Sequence, residues 1–356
     1  MTDLFFDARY IRVGQHDGIS RFSAGLFSAL SKQTQVTAII SDLRQLDKLP
    51  AGTQFVKIND PTSFAEPFAA LKLNRLGATT VFSPMQTMGS FGRKFKLVLT
   101  VHDLIYYRHP APPPGFNVFV RALWRLYHLV YWPQRFLLNR ADAIATVSET
   151  TKSLITKHRL TKKPVYVVYN AAGEDDHFKS PDAMPTENSL VYMGSFMDYK
   201  NVETLIKAMQ WLPGFQLNLL SRISDERRSA LEQLIPADCK VNFLNGVSED
   251  EYHNQLSRAT ALVSASRDEG FGIPLVEAMS RGIPIVVSDI QIFKEIGGDA
   301  AIFCDPNSPM AFASAVQRLT KDINWKTASE LSQIQAAKFS WNKSAQALMK
   351  VLESIS

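Results

Sequence analysis

Two glutamates, Glu269 and Glu277, stand eight residues apart in the stretch EGFGIPLVEAMSRGIPIVVS, residues 269–288. A short apolar run, Ala261–Ser264, precedes them and reads as a buried strand. Gly270 and Gly272 break the loop that follows and let backbone approach a ligand closely. Pro274 then opens a helix, where its missing N–H costs nothing, and Gly282 closes it before the next strand. The free N–H groups and positive dipole end of that helix make an anion site. Carboxylates would repel an anion held there, so Glu269 and Glu277 are better suited to accept hydrogen bonds from hydroxyls. A ligand with phosphates at its centre and hydroxyls at both ends, such as a nucleotide sugar, meets both demands. The same residues also fit an ordinary strand–loop–helix crossover with Glu277 complementing the helix dipole.

Other segments carry groups of the same kind. In LVYMGSFMDYK, residues 190–200, a strand ends at Met193, Gly194 frees the backbone, and Lys200 and Asn201 stand at a helix start. A lysine there is a point charge for a phosphate, or else a solvated surface residue. Arg222, just after a strand ending at Leu220, is a second cation in a comparable place. Near the N-terminus, Gly18 in DGISRF would let backbone approach a diphosphate, and Ser20 could cap a helix starting at Arg21. In TVHDL, His102 and Asp103 end a strand, where His102 is either a packed core residue or a ligand contact.

These loops need a frame, and apolar runs alternating with amphipathic stretches supply one: βαβ units and parallel sheets. The pattern predicts strands near Leu4–Asp7, Val36–Ile40, Thr80–Phe82, Leu97–Val101, Ala143–Val147 and Val165–Val168 in the first half. In the second half it predicts Leu190–Met193, Gln216–Leu220, Val241–Phe243, Ala261–Ser264 and Ile285–Ser288. Helices are expected near Arg21–Lys32, Phe116–Asn139 and Glu149–His158, and a linker over Asn170–Asn188. Two doubly wound domains follow, with ligand bound beyond the carboxyl ends of the strands.

The wording around Glu269 and Glu277 resembles the E-x7-E signature of the retaining glycosyltransferases of family GT4. Residues 194–201 resemble the family's G-x5-K-N stretch, except that Ser195 stands where arginine is usual. Asp7–Arg9 followed by Gly18–Phe22 resembles its D-A-R and G-I-x-R-[YF] elements, a form often carried by mannosyltransferases. Val101–Leu104, Arg140–Glu149 and Phe339–Trp341 with Ala345 extend the likeness, while Tyr169 and Ala171 depart from the usual P-N-G. The resemblance implies the α/β GT-B fold, two Rossmann-like doubly wound parallel-sheet domains facing a central cleft. Residues 1–172 would bind acceptor, 173–338 the nucleotide-sugar donor, and 339–356 would form a helix returning to the first domain.

By resemblance, Lys200 would hold the donor diphosphate, Glu269 the sugar hydroxyls, Glu277 the ribose, and His102 the donor sugar. The donor site would also include Gly18, Gly194, Ser195, Gly270, Phe271, Gly272 and Ile273, with Arg222, by its position after a strand, a candidate replacement for the arginine missing at Ser195, and Asp103 on the acceptor side. Glu269, His102 and Lys200 would be the catalytic set. Transfer would retain configuration by same-face attack, with no covalent intermediate. No D-x-D pair or His/Cys cluster offers metal spacing, so neither metal nor cofactor is expected. GDP-mannose is the first donor expected, with UDP-hexose next. A nucleotide-sugar epimerase of the same fold and a degenerate nucleotide-sugar-binding subunit are the alternatives. A phosphorylase would need a pyridoxal lysine, and none is singled out.

Charge suggests where the reaction occurs. Residues 1–172 carry 22 Lys and Arg against 10 Asp and Glu, while residues 173–356 carry 17 against 24. The basic half suits an anionic membrane surface or a phosphate-bearing acceptor, unless it serves solubility alone. No nucleic-acid motif accompanies it. Val118–Asn139 interleaves Trp124, Tyr127, Tyr131 and Trp132 with Arg121, Arg125 and Arg135, which suits a membrane interface or packing inside a domain. No apolar run is long enough to span a bilayer and no secretory signal is read. Cys239 and Cys304 form no redox spacing. A cytoplasmic protein, peripheral at the inner membrane face and acting on a lipid-linked or glycan acceptor, is expected. The acceptor would lie against the loops Val13–Asp17, Pro84–Arg93 and Tyr106–Phe116, with Pro112–Pro114 as a stiff rim.

Overall fold

The structure is a computed structural model that describes residues 4–14, 17–111, 118–173 and 184–355. Part of the loop Val13–Asp17, the Pro112–Pro114 rim, Phe116, and the middle of the expected linker lie outside the described residues. The chain divides into two units, Met1–Ala171 with Ser340–Ser356, and Ala172–Phe339.

Unit 1 is built on β1 (Leu4–Asp7), β2 (Val36–Ile40), β3 (Phe55–Lys57), β4 (Thr80–Ser83), β5 (Lys96–Val101), β6 (Ala143–Thr146) and β7 (Val165–Val167). All pair in parallel, in the order β3-β2-β1-β4-β5-β6-β7. Every residue of β1, β4 and β6 is buried, as strands covered on both faces must be. The helices are α1 (Gly18–Ser31), α2 (Ala69–Arg75), α3 (Ile105–Arg108), α4 (Val118–Leu129), α5 (Trp132–Leu138) and α6 (Glu149–Lys157).

In unit 2 the strands are β8 (Ser189–Tyr192), β9 (Gln216–Leu219), β10 (Lys240–Phe243), β11 (Ala261–Ser264), β12 (Ile285–Ser288) and β13 (Ala301–Cys304). They are again all parallel, in the order β10-β9-β8-β11-β12-β13. Its helices are α7 (Val202–Ala208), α8 (Asp225–Glu232), α9 (Glu249–Ser257), α10 (Ile273–Ser280), α11 (Gln291–Gly297), α12 (Pro309–Leu319) and α13 (Asp322–Ala336). A last helix, α14 (Trp341–Ile355), belongs to unit 1. Both units are thus Rossmann-type sheets, each reversing its winding beside its first strand.

Three expectations need correction. The single helix over Phe116–Asn139 is two helices broken at Val130–Tyr131, because Pro133 lies in the first turn of α5 and cannot continue α4. Helix α1 starts at Gly18, with Asp17 as its cap: the Asp17 carboxylate accepts the Ser20 N–H at 2.9 Å. Ser20 is buried instead, and its hydroxyl oxygen accepts the Arg12 N–H at 3.0 Å. Edge strands β3 and β13 complete the two sheets; β3 is short and mostly exposed, so it lacks the apolar run that marks the others. Among the described residues no helix is long and apolar enough to cross a membrane.

Helix α14 packs on α1 through one close approach. A Cβ built on Gly25 would sit 2.3 Å from Cε2 of Trp341, so only glycine lets the indole lie on the α1 backbone. Trp341 contacts Phe22, ring centres 6.1 Å apart, and Phe22 meets His102 edge-on at 5.0 Å. Helix propensity alone favours Gly25→Ala by about 1 kcal/mol. The overlap predicts the opposite, a loss of about 1–3 kcal/mol from overpacking. Thermal unfolding followed by circular dichroism checks this: the variant is expected to melt several degrees lower, and an unchanged midpoint would mean that Trp341 can move aside.

Candidate functional site

In unit 2 the winding reverses between β8 and β11, so the loops leaving their carboxyl ends diverge and open a crevice there. Lys200 follows β8 and Glu269 follows β11. The Lys200 ammonium donates to Glu269 Oε1 at 2.6 Å, with both side chains largely shielded from solvent. The Ser266 hydroxyl donates to the same Oε1 at 3.0 Å. The sequence-predicted cation and carboxylate are therefore one ion pair.

Asn201 holds the two loops in register. It adopts a left-handed backbone, φ 53°, which asparagine tolerates better than most residues. Its buried amide donates to the Ala265 carbonyl at 3.0 Å and the Pro306 carbonyl at 2.7 Å, and it accepts from the Thr204 hydroxyl. The Arg267 N–H donates to the Tyr199 carbonyl at 2.7 Å, tying the same loops a second time. Reading the sequence places Asn201 beside Lys200 but gives no sign of this clamp.

The glycines of the β8 and β11 loops do different work. A Cβ on Gly194 would come 2.8 Å from the Tyr192 hydroxyl, which donates to the Ser195 carbonyl at 2.6 Å. Burial, reinforced by the charge of Glu269, raises the Tyr192 phenol well above its usual range, so it stays a donor. The Gly194 N–H donates to the Ser221 hydroxyl at 3.1 Å. Ser195 is exposed, and Arg222 is exposed with its stem over Gly246.

Gly272 caps α10 at φ 94°, a conformation suited to glycine, and no side chain caps the helix. Within the first turn Pro274 has no N–H and the Leu275 N–H already donates to the Gly272 carbonyl at 2.9 Å, so only part of the usual set of helix-start donors could serve a ligand. At the other end Gly282 N–H donates to Met279 and Ile283 N–H to Ala278, the paired bonds of a Schellman cap. Phe271 turns its ring into the core against Phe339, so Gly270–Ile273 can offer a ligand mainly backbone. Glu277 is buried, and Oε2 accepts the Tyr252 hydroxyl at 2.8 Å. Tyr252 comes from α9, and no spacing in the sequence links it to Glu277.

In unit 1, His102 stands at the carboxyl end of β5, and its Nε2 lies 2.7 Å from the Pro84 carbonyl. A carbonyl only accepts, so Nε2 carries the proton and Nδ1 is the acceptor of the neutral ring. Burial lowers the His102 pKa, against opposing pulls from the Pro84 bond and the charges of Asp103 and Asp17. Asp103 accepts the Ile105 N–H at 3.0 Å and so opens α3. Gly18 is the first residue of α1, beside its Asp17 cap.

A buried network lies beneath this edge. Arg9 bonds Asp7 at 2.8 Å and Glu66 at 2.6 Å, while Glu66 also accepts from Gly89 N–H and the Asn59 amide. Ser83 donates to Asp7 at 3.1 Å. The network fixes the loops after β1, β3 and β4, including part of the acceptor loop read at Pro84–Arg93. Among the described residues no group of three or more His, Cys, Asp or Glu is arranged to hold a metal ion.

The glycosyltransferase family 4 model matches residues 34–173, and the model for glycosyl transferases group 1 matches residues 173–338. The chain belongs to glycosyltransferase family 4. It is 28% identical over 225 residues to the O-antigen chain mannosyltransferase RfbU of Salmonella typhimurium, covering 62% of this chain and 60% of that protein. It is 29% identical over 267 residues to O-antigen chain mannosyltransferase B of Escherichia coli, covering 69% and 67%. The chain thus spans less than two thirds of the Salmonella relative. Sucrose-phosphate synthase from Thermosynechococcus elongatus superposes with a TM-score of 0.76 at 17% identity, covering 100% of this chain and 99% of that one. HepE of Anabaena, solved with UDP and glucose, gives 0.71 at 16% identity, covering 99% and 100%. These likenesses are to solved GT-B glycosyltransferases and establish the fold of this family 4 member.

Two predictions follow from the site geometry. Asn201→Ala removes both carbonyl bonds of the clamp and is expected to lower turnover about tenfold or more, since a misplacement near 1 Å can cost a hundredfold. Steady-state kinetics would check it, and near-normal kcat would mean that Arg267 and Tyr199 suffice. The second concerns pH. His102, His128 and His158 all have pKa values lowered from 6.5, in each case chiefly by burial. Between their folded and unfolded values the unfolded chain binds more protons, so stability falls as pH drops below about 6.5 and is retained above it. Unfolding midpoints at a series of pH values would reveal this, and His102→Gln is expected to flatten the slope.

Proposed function

We propose that the protein is a retaining mannosyltransferase that takes mannose from GDP-mannose and adds it to a lipid-linked glycan at the cytoplasmic face of the inner membrane. The observation that carries the proposal is the Lys200–Glu269 pair at the winding reversal of unit 2, beside the uncapped start of α10. One group neutralises a phosphate and the other accepts hydroxyls, which is what a sugar diphosphate presents. The choice of mannose rests on the named activities of the Salmonella and Escherichia relatives. UDP-hexose is the next donor to consider.

In the reaction the bond from the anomeric carbon to the diphosphate oxygen breaks, and its electron pair leaves with the diphosphate. The acceptor hydroxyl attacks the same face, and its proton passes to the departing phosphate oxygen. Lys200 and the α10 N–H groups meet the negative charge that develops. Glu269 Oε1 accepts from both Lys200 and Ser266, which blunts it as a nucleophile and leaves Oε2 for sugar hydroxyls. Glu277, oriented by Tyr252, would take the ribose. His102 would accept a substrate hydroxyl at Nδ1. No metal is assigned a role in this scheme.

A second reading, a binding subunit that does not transfer sugar, is favoured by Ser195, where family members usually carry arginine. Calorimetry with GDP-, UDP-, ADP- and TDP-sugars, followed by donor hydrolysis without acceptor, separates the two. The proposal expects selective GDP-mannose binding with slow release of mannose, and release abolished in Glu269→Ala. Binding without release, even with lipid extract added, would establish the second reading.

A further inference from the structure

Helix α4 is turned the wrong way for a domain helix. Its aromatic residues Trp124, Tyr127 and His128 face inward: Trp124 meets Tyr106 edge-on at 4.9 Å, and His128 contacts Tyr107 at 5.1 Å. Its leucines face outward. Leu123, Leu126 and Leu129, spaced three apart along one face, are 59–70% exposed, and Trp132 and Phe136 on α5 are 65% and 56% exposed. Scattered exposed apolar residues need no explanation, but five large ones on two successive helices form a patch that does.

The charge around the patch narrows what could cover it. Arg121 and Arg125 are exposed on α4, beside the leucines. Residues 104–141 contain five arginines and no aspartate or glutamate. An apolar protein partner would not call for so one-sided a charge, whereas a lipid surface bearing phosphates offers apolar chains beneath an anionic layer. We infer that the outer face of α4 and α5 docks on an anionic bilayer, with Leu123, Leu126, Leu129, Trp132 and Phe136 entering the acyl boundary. Arg121 and Arg125 would meet headgroup phosphates. The inference deepens the membrane-facing part of the proposed function and names its contact surface. It is tested without donor or acceptor, so its failure leaves the transfer reaction standing.

The test is co-sedimentation of the whole protein with vesicles of phosphatidylcholine alone or mixed in equal parts with phosphatidylglycerol. Wild type should pellet with the mixed vesicles and much less with the neutral ones, and added salt should weaken binding. Leu126→Glu with Leu129→Glu is expected to weaken it about tenfold or more. Arg121→Gln with Arg125→Gln should lose about fivefold per arginine and most of the salt dependence. Ile334→Glu, at an exposed position on α13 of unit 2, should bind as wild type does. Unchanged unfolding midpoints would confirm that these surface variants fold. Absence of wild-type binding, or wild-type binding by both variant pairs, would overturn the inference. So would a dimer in size-exclusion chromatography that Leu126→Glu dissociates while vesicles go unbound, since the patch would then belong to a second copy.

Discussion

Parallel strands place all their carboxyl ends on one edge of a sheet, and only where the winding reverses do the loops part to admit a ligand. In unit 2 this constraint falls between β8 and β11. Lys200 and Glu269 come from the loops that separate there, so their 2.6 Å contact bridges the opening. Asn201, Tyr199, Arg267 and Ser266 act on that contact, by tying the two loops together or by bonding the carboxylate. The short helix α10, with glycine in place of a capping side chain, directs backbone donors from the same edge.

An ion pair shielded from water is a demanding way to build a binding site. Each charge loses solvation, and the pair is stable only while each partner satisfies the other. A substrate bearing both phosphate and hydroxyls relieves that dependence, because it can replace each partner with one of its own groups. A purely anionic ligand would satisfy Lys200 and strand Glu269; a free sugar would do the reverse. On the proposed reading the pair would therefore select for both chemistries on one molecule, which a single lysine or glutamate would not.

The sheet cores were legible because buried parallel strands are unbroken apolar runs, as at Leu4–Asp7 and Ala261–Ser264. Edge strand β3 was not, since a half-solvated edge of three residues carries no such run. The long aromatic segment has one continuous amphipathic pattern, and its division into two helices follows from Pro133 in the first turn of α5. Glycine and proline punctuation identified both ends of α10, and the charged residues at the loops were visible from type and position. Their partners were not: Tyr252 reaches Glu277 from another helix, and Glu66 reaches Arg9 across 57 positions of chain. Such contacts follow from topology, which local patterning does not encode. The inverted face of α4 was hidden for the same reason, because periodicity reveals a stripe but not which side the domain covers.

The central claim is that Lys200 and Glu269 divide phosphate and hydroxyl recognition between them. Calorimetric titration of GDP, which carries the diphosphate but no transferable sugar, tests this most directly in wild type, Lys200→Gln and Glu269→Gln. The account predicts changes of opposite sign: Lys200→Gln weakens GDP about tenfold or more, while Glu269→Gln binds as well or better because it releases the lysine. Equal loss in both variants, or none in Lys200→Gln, would contradict it and make the pair a structural strut.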